Sequence, residues 1–173
     1  YDYSYYNKNM IIFGKGVTIG KGCIINGLSK NGITFGDNVN LGPYSTIEAS
    51  GVITNLGKGC KIGNNTGIGA FSFIGAGGGV KIGNDVIMGQ RISFHSENHN
   101  FDKIDTLIRL QGVTREGIII EDNCWIGANV TFIDGSYVSN GSVVAAGAVV
   151  TKHFPPNAII GGVPAKLLKL RSK

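Results

Sequence analysis

An apolar residue recurs at every sixth position through most of this chain, and a glycine usually follows it. The unit is plainest in segments 62–66, 68–72 and 126–130. An amphipathic helix repeats about every 3.6 residues and a half-buried strand about every 2, so neither explains this period. Six residues suffice for one short strand and one tight turn, and three such units close a triangular coil of about eighteen residues. The sequence therefore predicts an all-β protein, a left-handed parallel β-helix of hexapeptide repeats.

The composition of the 173 residues fits a folded solenoid. With 42% apolar and 16% charged residues the chain can bury a core, and its 28 glycines lack the every-third spacing of collagen. No run approaches the roughly 20 apolar residues of a membrane span, and no secretion signal is visible. We therefore expect a cytoplasmic protein, at most associated with the inner face of the membrane and without stable membrane insertion.

The formal net charge of +5 is concentrated towards the C-terminal end. The basic residues there are Lys152, Lys166, Lys169, Arg171 and Lys173. Nucleic-acid binding needs a longer basic stripe with interleaved aromatic residues, so we expect no nucleic acid as a partner. A local basic cluster instead favours a ligand that carries phosphate groups.

The three cysteines, Cys23, Cys60 and Cys124, all fall on the fifth position of a repeat. That position takes a small side chain pointing into the prism. We therefore interpret the thiols as core residues rather than as nucleophiles or metal ligands. Their odd number also fails to indicate a disulfide scaffold.

Breaks in the period divide the chain into three parts. Residues 1–16 are rich in tyrosine and only loosely periodic, and we expect them to cap the first coil. Residues 17–157 form the β-helix, from which residues 96–117 leave the register as one extruded loop. Residues 158–173 form a C-terminal tail, in which segment 165–170 predicts a short helix.

Four segments follow one another in the second half of the chain: 98–102, 123–128, 145–152 and 161–166. In this order they resemble motifs of the hexapeptide-repeat acyltransferases. The resemblance covers nearly all of the chain after residue 16. It is strongest to the galactoside, maltose and polysaccharide O-acetyltransferases and to the xenobiotic acetyltransferases that modify streptogramins and chloramphenicol.

The resemblance implies an acetyl-CoA-dependent O-acetyltransferase with acetyl-CoA as co-substrate and no metal. It implies a homotrimer whose active sites lie between subunits. Segment 98–102 resembles the stretch that carries the catalytic histidine, so His99 is the predicted general base. Imidazole suits this task because its ordinary pKa is about 6.5 and a sugar hydroxyl is a poor nucleophile.

The remaining roles follow from the matched motifs and from the charge of CoA. The Ala128 N–H is the predicted donor to the oxyanion of the tetrahedral intermediate. The predicted cofactor-binding residues are Trp125, Ala128, Ala146, Thr151, Lys152, Pro164, Lys166 and Lys169. The predicted acceptor-binding residues are His95, Glu97, Asn98 and Asp102, with His95 as the second choice for the base. One departure is that Phe71 and Phe73 stand where some sugar acetyltransferases place a polar residue.

Several readings of function stay open at this stage. The acceptor could be a saccharide hydroxyl on a surface-polysaccharide precursor, an amino group of a nucleotide-linked sugar, or an antibiotic hydroxyl. A zinc carbonic anhydrase can be built on the same β-helix, but it needs three converging histidines, and His153 is far in sequence from the other two. A non-catalytic solenoid would use the loop only to dock a partner.

Overall fold

Three parallel β-sheets form the walls of a triangular prism, as the period of six predicts. The computed structural model describes residues 4–52 and 55–172. The first wall contains Ser4–Tyr6, Ile24–Asn26, Thr46–Glu48, Phe73–Gly75, Ser93–His95, Thr131–Ile133 and Val149–Val150. The second contains Ile11–Phe13, Ile33–Phe35, Cys60–Ile62, Val80–Ile82, Ile118–Ile120, Tyr137–Val138 and His153–Phe154. The third contains Thr18–Ile19, Asn40–Leu41, Gly67–Ile68, Ile87–Met88, Trp125–Ile126, Val143–Val144, Ala158–Gly161 and Lys166–Leu170.

The chain visits the first, second and third walls in turn, and each circuit adds one strand to every wall. The result is a left-handed parallel β-helix, as predicted. Two antiparallel hairpins project from it, Gly51–Val52 with Asn55–Leu56 and Asn98–His99 with Val113–Thr114. The helices in the described residues are two short 3₁₀ turns, Lys8–Met10 and Ile108–Leu110. Neither turn has the length or the apolar character needed to cross a membrane.

Apolar side chains of the wall strands point into the prism and stack on their equivalents in the coils above and below. On the first wall, Phe94 and Phe132 are both fully buried, and their rings stack with centroids 4.9 Å apart. The cysteines occupy the inward positions expected for small residues and are buried. Burial raises the pKa of the Cys60 thiol to about 12, so this group is a core residue rather than a nucleophile.

Every departure from the six-residue spacing lies at the corner between the first and second walls, here called the loop corner. Inward residues are six positions apart at the other two corners, as Ile62, Ile68 and Ile74 show. The loop corner instead contains the insertions 27–32, 49–59, 76–79 and 96–117. Each strand pairs with strands of neighbouring coils, so a corner can lengthen without disturbing the walls.

Side-chain amides and carboxylates hold together the corner between the second and third walls, here called the asparagine corner. The Asp37 N–H donates to Asn64 Oδ1 at 2.8 Å, and the Asn64 N–H donates to Asn84 Oδ1 at 2.9 Å. The Asn84 N–H continues this ladder to Asp122 Oδ1 at 2.7 Å. Each turn therefore has its backbone donor satisfied by a side chain of the next coil.

The N-terminal region predicted as a cap already carries wall strands. Ser4–Tyr6 pairs in parallel with Ile24–Asn26, and Ile11–Phe13 pairs with Ile33–Phe35. Residues 1–3 of that region, and residue 173 of the tail, lie outside the described residues.

The helix predicted over 165–170 is wrong, because the tail folds as the strand Lys166–Leu170. This strand runs antiparallel to Ala158–Gly161 at the edge of the third wall. A helix of about six residues cannot repay its nucleation cost in water. The last wall strand instead offers the tail a complete row of backbone hydrogen-bond partners.

The inward column makes the core sensitive to cavities. We expect Ile74→Ala to lower the free energy of unfolding by about 2–5 kcal/mol, because the fully buried side chain leaves a void between two coils. The control Ile87→Ala removes an outward side chain that is 59% exposed and should change stability by less than about 0.5 kcal/mol. Urea denaturation followed by circular dichroism measures both values, and equal losses would contradict the column assignment.

Candidate functional site

The extruded loop holds His99 on a defined strand. His99 pairs with Val113, and Asn98 pairs with Thr114, in a short antiparallel hairpin at the base of the loop. Further out, Gln111 Nε2 donates to the carbonyl oxygens of Lys103 at 2.8 Å and Thr106 at 2.7 Å. These contacts give the loop a fixed shape, so the histidine has a fixed backbone position.

Both loop histidines line one cavity of about 300 Å³ against the outer face of the first wall. The lining residues are Glu48, Gly51, Phe73, Gly75, Gly77, His95, Ser96, Glu97 and His99. The imidazoles of His95 and His99 are exposed and make no hydrogen bond within residues 4–52 and 55–172. Each ring is therefore open to exchange a proton with a ligand in the cavity.

The Glu97 carboxylate binds an arginine rather than a histidine. Arg115 Nε lies 2.9 Å from Glu97 Oε2, and the guanidinium is only 12% exposed. Arg115 Nη1 also donates to the carbonyl oxygens of Asn55 at 3.0 Å and Leu56 at 3.2 Å. This guanidinium therefore ties the base of the histidine loop to the smaller hairpin beside it. Sequence reasoning missed this link because Asn55 and Leu56 are about 60 residues away from Arg115 in the chain.

The structure separates the predicted acceptor residues into two pairs. His95 and Glu97 line the cavity together with His99. Asn98 and Asp102 are exposed and do not line it. Glu48 and Phe73, which sequence reasoning did not assign to the acceptor, do line it, because neighbouring strands of the first wall place them beside His95.

The corner between the third and first walls, here called the amide corner, carries a column of unpaired backbone donors. The N–H groups of Ala70, Gln90, Ala128 and Ala146 occupy equivalent positions in successive coils, and none of them donates to an acceptor in the described part of the chain. The asparagine corner places Asn or Asp at this position, and their side chains cap the preceding coil. Ala128 and Ala146 have no acceptor with which to do so, and the Gln90 side chain makes no hydrogen bond to the described residues, so the donors stay open, about 4.8 Å apart.

Four predicted cofactor residues lie beside this column. Trp125 projects outward from the third wall, is 56% exposed and is flanked in register by Ile87 and Val143. Pro164 lies in the turn of the terminal hairpin, and Lys166 pairs with Gly161 just beyond the last coil. Lys169 follows on the same strand. A ligand along the amide corner would meet an aromatic wall at one end and ammonium groups at the other.

Thr151 and Lys152 are not brought to the amide corner. They lie at the loop corner, where the chain passes from Val149–Val150 to His153–Phe154. The Lys152 ammonium lies 5.8 Å from the centre of the Phe154 ring. His99 and Ala128 are likewise divided between the loop corner and the amide corner of the same prism. One copy of the chain therefore does not place the predicted base beside the predicted oxyanion donor.

The third histidine, His153, belongs to a separate cluster on the second wall. Its Nε2 lies 3.1 Å from Ser139 Oγ, and its ring packs on Tyr137 with centroids 4.5 Å apart. The Tyr137 hydroxyl donates to Glu121, which lowers the pKa of Glu121 and raises the pKa of Tyr137. The three histidines therefore do not converge, and the described residues contain no group of three side chains suited to hold a metal.

Comparison with known proteins links this architecture to acyl transfer. The family model described as the hexapeptide repeat of succinyl-transferase matches residues 32–70 and 117–152. The putative lipopolysaccharide biosynthesis O-acetyl transferase WbbJ of Escherichia coli is 26% identical over 170 residues, which are 94% of this chain and 73% of WbbJ.

Two solved structures share the fold. A hexapeptide-repeat acetyltransferase of Vibrio cholerae, complexed with acetyl coenzyme A, is 29% identical with a TM-score of 0.68, over 80% of this chain and 71% of that one. The N-acyltransferase AntD of Bacillus cereus, complexed with dTDP-4-amino-4,6-dideoxyglucose and coenzyme A, has a TM-score of 0.62 over 99% of this chain and 79% of AntD. AntD is only 18% identical, so its likeness is one of fold alone.

The contacts of Arg115 predict that it fixes the histidine loop. We expect Arg115→Ala to lower the hydrogen-exchange protection of the His99 and Val113 amides about tenfold, because the loop loses its link to the neighbouring hairpin. The control Arg109→Ala removes an exposed guanidinium of the same loop and should leave protection unchanged. Equal protection in both variants would show that the ion pair does not order the loop.

Proposed function

From its hexapeptide-repeat fold and its similarity to acetyltransferases, we propose that this chain transfers the acetyl group of acetyl-CoA to a hydroxyl of a saccharide. The main support is the pairing of two features on one scaffold. The loop corner presents a cavity with two unpaired imidazoles, and the amide corner presents a column of unpaired N–H donors. The first suits a general base and the second suits a thioester donor. The similarity to WbbJ favours a precursor of a surface polysaccharide as acceptor.

The donor fits the amide corner by hydrogen-bonding chemistry. The pantetheine arm of CoA carries amide carbonyls, and the thioester adds another carbonyl, so the arm can accept hydrogen bonds from successive coils. In this proposal the Ala146 N–H binds pantetheine, Trp125 forms a wall of the groove, and Lys166 and Lys169 meet the phosphates. Since acetyl-CoA is a metabolite of the cell interior, we place the reaction in the cytoplasm.

In the reaction, one proton moves from the acceptor hydroxyl to the imidazole and then to the departing thiolate. His99 takes the proton of the acceptor hydroxyl as its oxygen attacks the thioester carbonyl, which forms a C–O bond and a tetrahedral oxyanion. The Ala128 N–H stabilises that oxyanion, and such a donor contributes about 10²–10³-fold to the rate. Collapse breaks the C–S bond, and the imidazolium returns its proton to the departing CoA thiolate. A positioned base contributes about 10²–10⁴-fold.

A ring of copies would complete the site. The base and the oxyanion donor lie on different corners, so the loop corner of one copy must face the amide corner of the next. Three prisms related by a three-fold axis satisfy this condition at every contact. The loop tip also exposes large apolar side chains, with Ile104 96% exposed and Leu107 61% exposed, which a neighbouring wall would cover. Thr151 and Lys152 would then reach the donor bound by the adjacent copy.

Removing the base tests the reaction directly. We expect His99→Ala to lower kcat about 10²–10⁴-fold while acetyl-CoA binding stays within twofold, because the base acts on the acceptor rather than on the donor. His95→Ala is the matched comparison and should lower kcat less. Thiol release with a panel of neutral, amino and acidic sugars measures both, and product mass separates O-acetyl from N-acetyl products. Full activity of His99→Ala, or an exclusively N-acetylated product, would contradict this proposal.

The shared site predicts complementation between two inactive variants. Ala146→Trp should block the amide corner, and His99→Ala should remove the base, so each is inactive alone. Co-expressed in equal amounts, they should recover about a quarter of wild-type activity, because a quarter of the contacts then join an intact loop to an intact amide corner. Sites contained within one chain would recover none.

A further inference from the structure

In one outward column of the first wall, a glycine separates the carboxylate of Glu48 from the imidazole of His95. Glu48, Gly75 and His95 lie in register on three neighbouring strands. Because Gly75 has no side chain, the column presents Glu48 and His95 about 10 Å apart, with one empty place between them. That separation leaves room for one small polar molecule to contact both groups.

An aromatic ring forms the floor of this gap. A Cβ atom built on Gly75 would lie 3.0 Å from Phe73 Cε1 and 3.4 Å from Phe73 Cζ, so the ring extends across the glycine. The ring centroid lies 5.7 Å from that of His95, and the Phe73 side chain remains 38% exposed. The cavity therefore has an apolar floor next to a candidate base.

The Glu48 carboxylate is held in position by hydrogen bonds to only one of its two oxygens. Its Oε1 accepts hydrogen bonds from Asn26 Nδ2 at 2.9 Å and from Ser50 Oγ at 2.6 Å. Its Oε2 accepts none from the described residues. One oxygen thus anchors the side chain, and the other is free to accept a hydrogen bond from a ligand hydroxyl or ammonium.

The two acidic groups of the cavity differ in their charge balance. Glu97 is neutralised by Arg115. Glu48 forms no ion pair with any described residue. The cavity therefore carries one uncompensated negative charge, which repels an anionic ligand and favours a neutral or cationic one.

We propose that Phe73, Gly75 and Glu48 form the acceptor cradle, and that it selects a neutral or amino-substituted sugar over an acidic one. This inference rests on the proposed function. The C–H face of one sugar ring packs on Phe73, and one hydroxyl donates to Glu48 Oε2. A neighbouring hydroxyl then points towards the imidazoles. A cavity of about 300 Å³ is at the lower limit for small-molecule sites, so it encloses a single ring of a longer acceptor.

The first arm of the test removes the aromatic floor formed by Phe73. We expect Phe73→Ala to lower kcat/KM for the acceptor about tenfold, mainly through KM, and Phe73→Trp to keep it within about threefold. The control Ile24→Ala changes an outward side chain, 44% exposed, that lies in register with Phe73 two strands away, and it should have no effect. Acetyl-CoA binding, measured by calorimetry, should stay unchanged in all three variants.

The second arm changes the charge. Glu48→Gln should raise kcat/KM for methyl glucuronide relative to methyl glucoside at least about fivefold, because it removes the repulsion but keeps the shape. The matched control Glu116→Gln alters an exposed carboxylate outside the cavity and should leave this ratio unchanged.

Direct binding separates failure of the cradle from failure of the proposed function. Saturation-transfer NMR can follow methyl glucoside and methyl glucosamine on the protein loaded with CoA, whether or not transfer occurs. Binding that is lost in Phe73→Ala supports the cradle even if no acetyl product forms, in which case only the proposed function fails. Acceptor binding and kcat/KM that stay within twofold in Phe73→Ala and Glu48→Gln would overturn the cradle.

Discussion

Parallel, in-register pairing between coils is the constraint on which the rest of this molecule depends. Each strand pairs with the same wall one coil above and one coil below, so equivalent residues form straight columns about 4.8 Å apart. The inward column builds the core, as the Phe94–Phe132 stack shows. In the outward columns, the side chains at one position of the repeat likewise lie in register on neighbouring coils. A single substitution therefore acts within a row of equivalent groups rather than alone.

The three corners of the prism differ in how the stacked positions are occupied. At the asparagine corner, Asn64 and its equivalents satisfy the backbone donors of the preceding coil, so those donors are not open to a ligand. At the amide corner, Ala128 and Ala146 leave the same donors open. The loop corner absorbs every insertion and thereby carries His99 next to His95 of the first wall. Under the proposed function, donor binding and acceptor chemistry belong to different corners, so the proposed site lies between two copies.

The period predicted the walls, the extruded loop and the inward cysteines because each depends only on spacing within the repeat. It could not predict the tail, where edge pairing of Lys166–Leu170 outweighs a weak helical preference. Nor could it find the role of Arg115, which links Glu97 of its own loop to Asn55 and Leu56 of another coil. Glu97 matched a motif, yet its carboxylate is committed to that arginine. Local pattern indicates where a residue lies in its repeat but not what the next coil places beside it.

The amino-acid sequence by itself determined the β-helix and the segment that carries His99, because an apolar period and its one long interruption are properties of a linear string. The tertiary structure alone decided which groups share a cavity. Glu48, Phe73 and His95 come from three different coils and meet only because the first wall brings them into register. It also decided that the proposed base, His99, and the proposed oxyanion donor, Ala128, occupy different corners. The physical reason is that contacts between coils depend on the stacking of distant segments, which no window of the sequence contains.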